Sequence, residues 1–271
     1  MNQMNKSVMM VLLMLFSSVA GIAYTPEAEA AQVVITEAVQ VVDGGSVNDR
    51  MAAMIADSEG NIHVVWSRNT QHLYYTMLDP RAQTLISATQ ISNSGTHRAW
   101  HPDIDVDDQD RIHVVWADKS GSHSIKYTLI DPSMSVQDGA PADDAIISIV
   151  DDTIVSQRNQ NRDWPAVSLD STGAIHIVWE DSYEQLGKFY NQPQIYYSML
   201  QIDEVTRQAL TAIDDTLLTP IIGHKGHPDV AVDADDYVQI VWDDTRGGKV
   251  EIAAPIDTSG SMYSEWADMC T

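Results

Sequence analysis

Cysteine is all but missing: Cys270 is the single one in 271 residues. No internal disulfide can form, so the fold must be held by packing, hydrogen bonds or bound ions. Phenylalanine is nearly as scarce, at 2 residues. Cations are few as well, 15 Lys and Arg against 39 Asp and Glu, for a formal charge of −24. That imbalance argues against nucleic acid and anionic membrane surfaces as partners, because both require clustered cations. The apolar core of the N-terminal segment, Val8 to Ala20, is interrupted by Ser17 and Ser18. It is also short of the roughly 20 residues a membrane-spanning helix needs.

Lys6, the apolar run that follows it, and Ala28-Glu29-Ala30 together form the pattern of a secretory leader with a small-x-small cleavage site. The expectation is a signal peptide over residues 1–30 and a secreted or cell-surface protein with no membrane insertion after cleavage. Removing Lys6, Glu27 and Glu29 leaves 14 basic and 37 acidic residues, a net charge of −23.

The apolar content of the full chain is of the kind β-sheets bury: 7 Trp, 10 Tyr and a middle rich in Val and Ile. It is organised as a fourfold repeat. Asp57, Asp107, Asp170 and Asp233 are each followed nine residues later by a Trp, at 66, 116, 179 and 242. Six residues after each Asp stand His63, His113, His176 and Gln239. In the second unit, Pro102 to Asp107 alternates in the manner of a strand, Asp108-Gln109-Asp110 makes a turn, and Ile112 to Trp116 is a second strand. Ile125 to Ile130 is a third, closed by Asp131-Pro132. Thr84 to Ile91, Ala145 to Val155 and Thr211 to Ile222 supply a fourth strand between units, and Val33 to Val42 precedes the first unit.

Repeated four-stranded units of this size predict an all-β chain, a β-propeller of four blades over residues 31–256 whose ring is incomplete. The pattern resembles the sialidase-like propeller repeats of secreted proteins. It departs from the sialidase Asp-box, to which Ser168-Leu169-Asp170-Ser171-Thr172-Gly173 is the nearest approach, with its Trp too late. The resemblance therefore implies architecture more than sialidase activity.

Val250 to Ile256 followed by Asp257-Thr258-Ser259-Gly260-Ser261 looks like the first metal loop of a von Willebrand factor A domain. The resemblance implies a truncated A domain over residues 257–271, in which Asp257, Ser259 and Ser261 hold Mg²⁺ in an incomplete site. Asp257 also aligns with Asp79, Asp131 and Asp203, which close the third strands of the other units, and on that reading the segment is an ordinary turn.

Arg50, Arg98, Arg162 and Lys225 stand seven to nine residues ahead of the turn Asp in each unit. They are candidates for a cationic collar at the channel mouth, binding a carboxylated or phosphorylated ligand; the alternative is local pairing of each with an Asp. The carboxylates at Asp105, Asp107, Asp108 and Asp110, and at Asp233, Asp235 and Asp236, are candidate Ca²⁺ ligands or plain Asx-turns. The histidines recur in every unit, as packing positions do. Tyr183, Phe189 and Tyr190, on an expected loop from Asp181 to Gln194, are candidate contacts.

No pair of carboxylates is marked by a motif, so the expected function is non-catalytic: secreted adhesion or ligand binding, with an extracellular protein or glycan as partner. The alternative is a sialidase-like glycoside hydrolase or glycan-binding propeller that uses a basic channel mouth.

Overall fold

The computed structural model describes residues 38–257 except 39, 43–44, 93–97, 122, 134–146, 157–161, 186–187, 220–222, 245–248 and 253–255. The expected leader, Ser259 and Ser261 lie outside the described residues. The chain divides into Met1–Val39 and Gln40–Thr271, and every strand belongs to the second unit.

Among the described residues, sixteen strands form four antiparallel sheets in chain order. Blade 1 holds β1 (Asp49–Ala56), β2 (Ile62–Arg68), β3 (His72–Leu78) and β4 (Thr84–Gln90). Blade 2 holds β5 (Ala99–Val106), β6 (Ile112–Asp118), β7 (Ser124–Asp131) and β8 (Ile147–Ile154). Blade 3 holds β9 (Asp163–Leu169), β10 (Ile175–Gln185), β11 (Lys188–Asp203) and β12 (Gln208–Leu217). In blade 4, β13 (Lys225–Val232) and β14 (Tyr237–Asp244) are followed by β15 (Lys249–Ile252) and β16 (Ile256–Asp257), both paired with β14. The last two therefore share the lane that a single third strand occupies elsewhere. The long hairpin of β10 and β11, with Tyr183 opposite Tyr190, replaces the loop expected between Asp181 and Gln194.

The hydrophobic cores lie between blades. One packs Val65, Tyr75 and Ile86 of blade 1 on Ile104, Val114 and Trp116 of blade 2. A second joins Val115, Tyr127 and Leu129 to Ile177 and Trp179, and a third joins Val178 and Tyr197 to Ile240 and Trp242. A second strand is thus covered on both faces, which is why Ile112 to Trp116 is apolar almost throughout rather than alternating. The inner strands pack in sequence, β1 on β5, β5 on β9 and β9 on β13.

The repeat motif is a turn device. Each turn Asp accepts backbone N–H bonds two and four residues on, as Asp107 does from Gln109 (2.9 Å) and Arg111 (2.8 Å). Three residues after it stand Gly60, Asp110, Gly173 and Asp236, all with positive φ. That left-handed position explains why the motif admits only Gly or Asp there.

The recurring His completes the same device. His63 Nδ1 lies 2.7 Å from the Tyr75 hydroxyl and Nε2 lies 3.1 Å from Asp57. His113 is held likewise by Tyr127 and Asp107, and His176 by Tyr197 and Asp170. In blade 4 both polar partners change together: Gln239 replaces the His, and Ile252 opposes Val241 where Tyr75 opposes Val65.

These clamps make the fold acid-sensitive. Burial lowers the proton affinity of His63 and His176, despite the opposing pull of their Asp partners. Burial would raise Asp57 and Asp107, but hydrogen bonds from the turn and the His bring both below the ordinary value, Asp107 to about 2. A His whose folded value is lowered stabilises the fold fully above its unfolded value near ~6.5 and less as pH falls; a lowered Asp acts in the same sense below ~4. The melting temperature is therefore expected to fall from pH 7 to pH 4. In the double variant His63→Gln, Tyr75→Ile, built on the blade 4 pattern, the decline between pH 7 and 5 is expected to be shallower, as read from thermal melts at each pH.

Candidate functional site

Every inner strand carries a β-bulge near its start, and the bulge puts one non-glycine residue into the left-handed region. These are Met51 (φ 55°), His101 (φ 45°), Trp164 (φ 47°) and His227 (φ 48°), each six residues before its turn Asp. Non-glycine residues avoid this region, so four at one structural position form a strained, over-determined feature of the kind found at binding sites.

The four side chains converge from neighbouring blades. The His101 and Trp164 rings stack with centroids 3.6 Å apart, and His227 meets Trp164 edge-on at 4.5 Å. The His101 N–H points to Met51 Sδ at 3.5 Å. Trp164 remains 38% exposed, which leaves an aromatic platform open to a ligand.

Two carboxylates lie beside this platform. Asp163 on β9 and Glu180 on β10 are directly opposed across the strand pair. Asp163 is approached by His101 Nδ1 at 2.7 Å and Lys119 Nζ at 2.8 Å. Burial would raise its proton affinity, yet those two bonds hold it below the usual carboxylate value. Glu180 is raised instead, first by burial and further by the charge of Asp163; the His227 N–H, 3.1 Å from Oε2, opposes this only in part. A Cβ on Gly226 would sit 2.7 Å from Glu180 Oε2, so the glycine provides the space into which Glu180 reaches. Adjacent carboxyls whose surroundings push their proton affinities apart are the arrangement that acid–base chemistry uses. No sequence motif marks this pair. The one legible signal was the recurrence of an aromatic or Met six residues before each turn Asp.

A concavity of about 730 Å³ lies apart from this platform, at the turn end of blades 2 and 3, and is lined by Asp107, Arg111, Ser168, Asp170 and Glu204 among others. Its charged groups are engaged: Arg111 binds Asp107 at 2.6 Å and Glu204 at 3.0 Å.

The four expected collar cations do not form a ring of exposed charge. Arg162 and Lys225 are buried and paired, Arg162 with Asp181 at 3.4 Å and with the His123 carbonyl at 3.1 Å, Lys225 with Asp244 at 2.8 Å. The acids lie two residues after the repeat Trp, so the basic residue and the acid are the two ends of one blade clamp. Arg50 and Arg98 are exposed, with Arg50 Nε on Asn48 at 3.3 Å. In blade 1 the clamp is inverted, with Arg68 after the Trp pairing with Asp49 at 2.8 Å.

The Asp-rich turns are likewise committed. Asp110 accepts both the N–H and the hydroxyl of Ser58, at 2.9 and 2.7 Å, and Asp236 accepts the same pair from Ser171. Asp257 pairs with Tyr237 on the backbone, in the lane and register where Asp79 follows Leu78 in blade 1.

No protein-family profile matches any part of the chain, and no curated protein matches it. Solved structures do. An endo-arabinase of Bacteroides thetaiotaomicron is 10% identical, with a TM-score of 0.44 over 76% of this chain and 74% of its own. The α-L-arabinanase of Cellvibrio cellulosa, solved with arabinohexaose, is 11% identical, with a TM-score of 0.42 over 79% and 75%. A Dyadobacter fermentans protein of unknown function is 10% identical, with a TM-score of 0.50 over 78% and 66%.

The fold is a β-propeller. No family profile supports the resemblance to sialidase repeats or to an A domain. The expectation of a non-catalytic protein is corrected: arabinanases are among the solved structures it resembles, and β9 and β10 bring together a carboxylate pair, Asp163 and Glu180, that sequence motifs could not reveal. Those two groups sit on different strands, seventeen residues apart, so only pairing of β9 with β10 makes them neighbours.

Proposed function

We propose that this protein is a carbohydrate-active propeller that binds a glycan across the platform of His101, Trp164 and His227 and cleaves it with Glu180 and Asp163. The observation that carries the reading is the split carboxylate pair beside an exposed aromatic ring. Sugars stack on aromatic faces through their C–H surfaces, and a half-exposed Trp held rigid by a stacked His offers such a face with little entropy to lose. Glu180, whose proton affinity burial raises, serves as the proton donor to the leaving oxygen; Asp163, whose proton affinity His101 and Lys119 lower, serves as the nucleophile, base or charge stabiliser. Lys119 and His101 act as positioning residues. The protein works outside the cell, after loss of residues 1–30.

The test is release of reducing ends from a panel of polysaccharides, with binding followed by tryptophan fluorescence. Trp164→Ala is expected to weaken binding of the responsive glycan about 5- to 150-fold with the fold intact, since stacked aromatic contacts contribute about 1–3 kcal/mol. If no glycan is bound or cut, or if Trp164→Ala binds as the parent does, the reading fails. A methyl group at position 226 is expected to displace Glu180, so Gly226→Ala should lose turnover while binding the same glycan.

A further inference from the structure

The four blades are not equivalent; they alternate. Blades 1 and 3 have Ala53 and Ala166 four residues before the turn Asp, a Ser one after it (Ser58, Ser171) and a Gly three after it (Gly60, Gly173). Blades 2 and 4 instead have His-Pro-Asp before it, at His101 to Asp103 and His227 to Asp229, and an Asp three after it, Asp110 and Asp236.

The alternation gives two kinds of junction. From blade 1 to 2, and from 3 to 4, the turn Ser binds the Asp at the left-handed position of the next blade, Ser58 to Asp110 and Ser171 to Asp236, at 2.6 to 2.9 Å. From blade 2 to 3 the link runs along the inner strands. Asp103 Oδ2 accepts the Val167 N–H at 2.8 Å, and Asp105 Oδ2 accepts the Leu169 N–H at 2.9 Å.

The described edges of β13 and β1 carry one of this junction's two bonds, since Ala231 stands where Asp105 does. Asp229 stands where Asp103 stands, and it is exposed on β13. Met54 and Ala56 stand where Val167 and Leu169 stand, and both are exposed on β1. Met54 is 66% exposed, whereas Val167 is 5%. Among the described residues β13 and β1 do not pack as the other three inner-strand pairs do, and no hydrophobic core bridges blades 4 and 1.

We infer that β13 of one chain docks on β1 of a second copy, with Asp229 accepting the Met54 N–H, so that two chains close a twofold ring of eight blades. A second copy preserves the alternation at both junctions, since a blade like 1 and 3 then follows a blade like 2 and 4. Eight blades also lies within the range that propellers adopt. Head-to-tail contacts that close in this way form a ring rather than a filament.

Light scattering coupled to size exclusion decides the point. The purified chain at about 50 μM is expected to show twice the mass of one chain. Met54→Asp, which sets a carboxylate against Asp229, should halve that mass with an unchanged circular dichroism spectrum, and adding Asp229→Lys should restore it. A parent chain of single mass, or one larger than a dimer, overturns the inference, as does a Met54→Asp variant that stays dimeric. Glycan cleavage need not be measured, so this test stands or falls apart from the proposed activity.

Discussion

Glu180→Gln is expected to lower kcat on the responsive glycan by roughly 10²–10⁴-fold, the usual contribution of a positioned proton donor. KM should change little and the melting temperature should hold, because Gln keeps the shape and still accepts the His227 N–H. The pH profile gives the sharper reading. On the proposed activity, the parent protein should show a bell whose acid limb reports protonation of Asp163, below the ordinary carboxylate range, and whose alkaline limb reports loss of the Glu180 proton, above it. Glu180→Gln should erase the alkaline limb, whereas Lys119→Met should move the acid limb upward by removing a cation 2.8 Å from Asp163. A merely structural Glu180 would leave the shape of the profile unaltered. A full-rate Glu180→Gln enzyme would remove the assignment altogether.

The largest expected loss of stability is at Arg162. Its side chain is fully buried beside Asp181 at 3.4 Å and Asp215 at 4.0 Å, with Nη1 donating to the His123 carbonyl. Replacing it by Met removes a cation from beside two buried carboxylates. Breaking a buried pair from one side destabilises by about 3–5 kcal/mol. For a chain of this size that is a fall in melting temperature of roughly 6–20 °C, at about 2–4 °C per kcal/mol. The comparison is Arg68, which makes the inverted clamp in blade 1 with side-chain exposures of 19% and 26% for Arg68 and Asp49. Arg68→Gln should stay within about 1 kcal/mol, since solvent screens a partly exposed pair. Equal losses at both sites in thermal or denaturant melts would show that burial does not set the strength of the clamp.

Asp103 acts in the opposite sense to these clamps. Burial raises it to about 6, aided by the charges of Asp229 and Asp105 and only partly offset by the N–H groups of Val167 and Ile104. A carboxyl whose folded value lies above its unfolded one favours the fold when protonated, and that contribution is lost as pH rises through the folded value. Between pH 5 and 7 it therefore runs against the His–Asp–Tyr clamps.

How much of this was legible beforehand varies from one feature to the next. The turn Asp, the Gly or Asp three residues on and the Trp nine residues on were readable because each answers a local demand: an Asx-turn, a left-handed φ and a second strand buried on both faces. The His and Tyr of each clamp were half legible. The His recurred at a fixed offset, but the Tyr does not, because the hairpins between β2 and β3 and between β10 and β11 differ in length. Arg50, Arg98, Arg162 and Lys225 were found by offset, and yet the offset did not say which way each points. Burial and the acid two residues after the Trp decided that for Arg162 and Lys225.

The sequence by itself determined the all-β class, the number of recognisable blades and the position of every inner turn, since these follow from side-chain period and backbone conformation within a few residues. Only the tertiary structure decided where chemistry can occur. Asp163 and Glu180 become a pair through strand register, their proton affinities diverge through burial and through His101 and Lys119 from the neighbouring blade, and Trp164 becomes a platform because a bulge turns it toward His101. Each of these depends on residues distant in the chain, and local pattern holds no record of such distances.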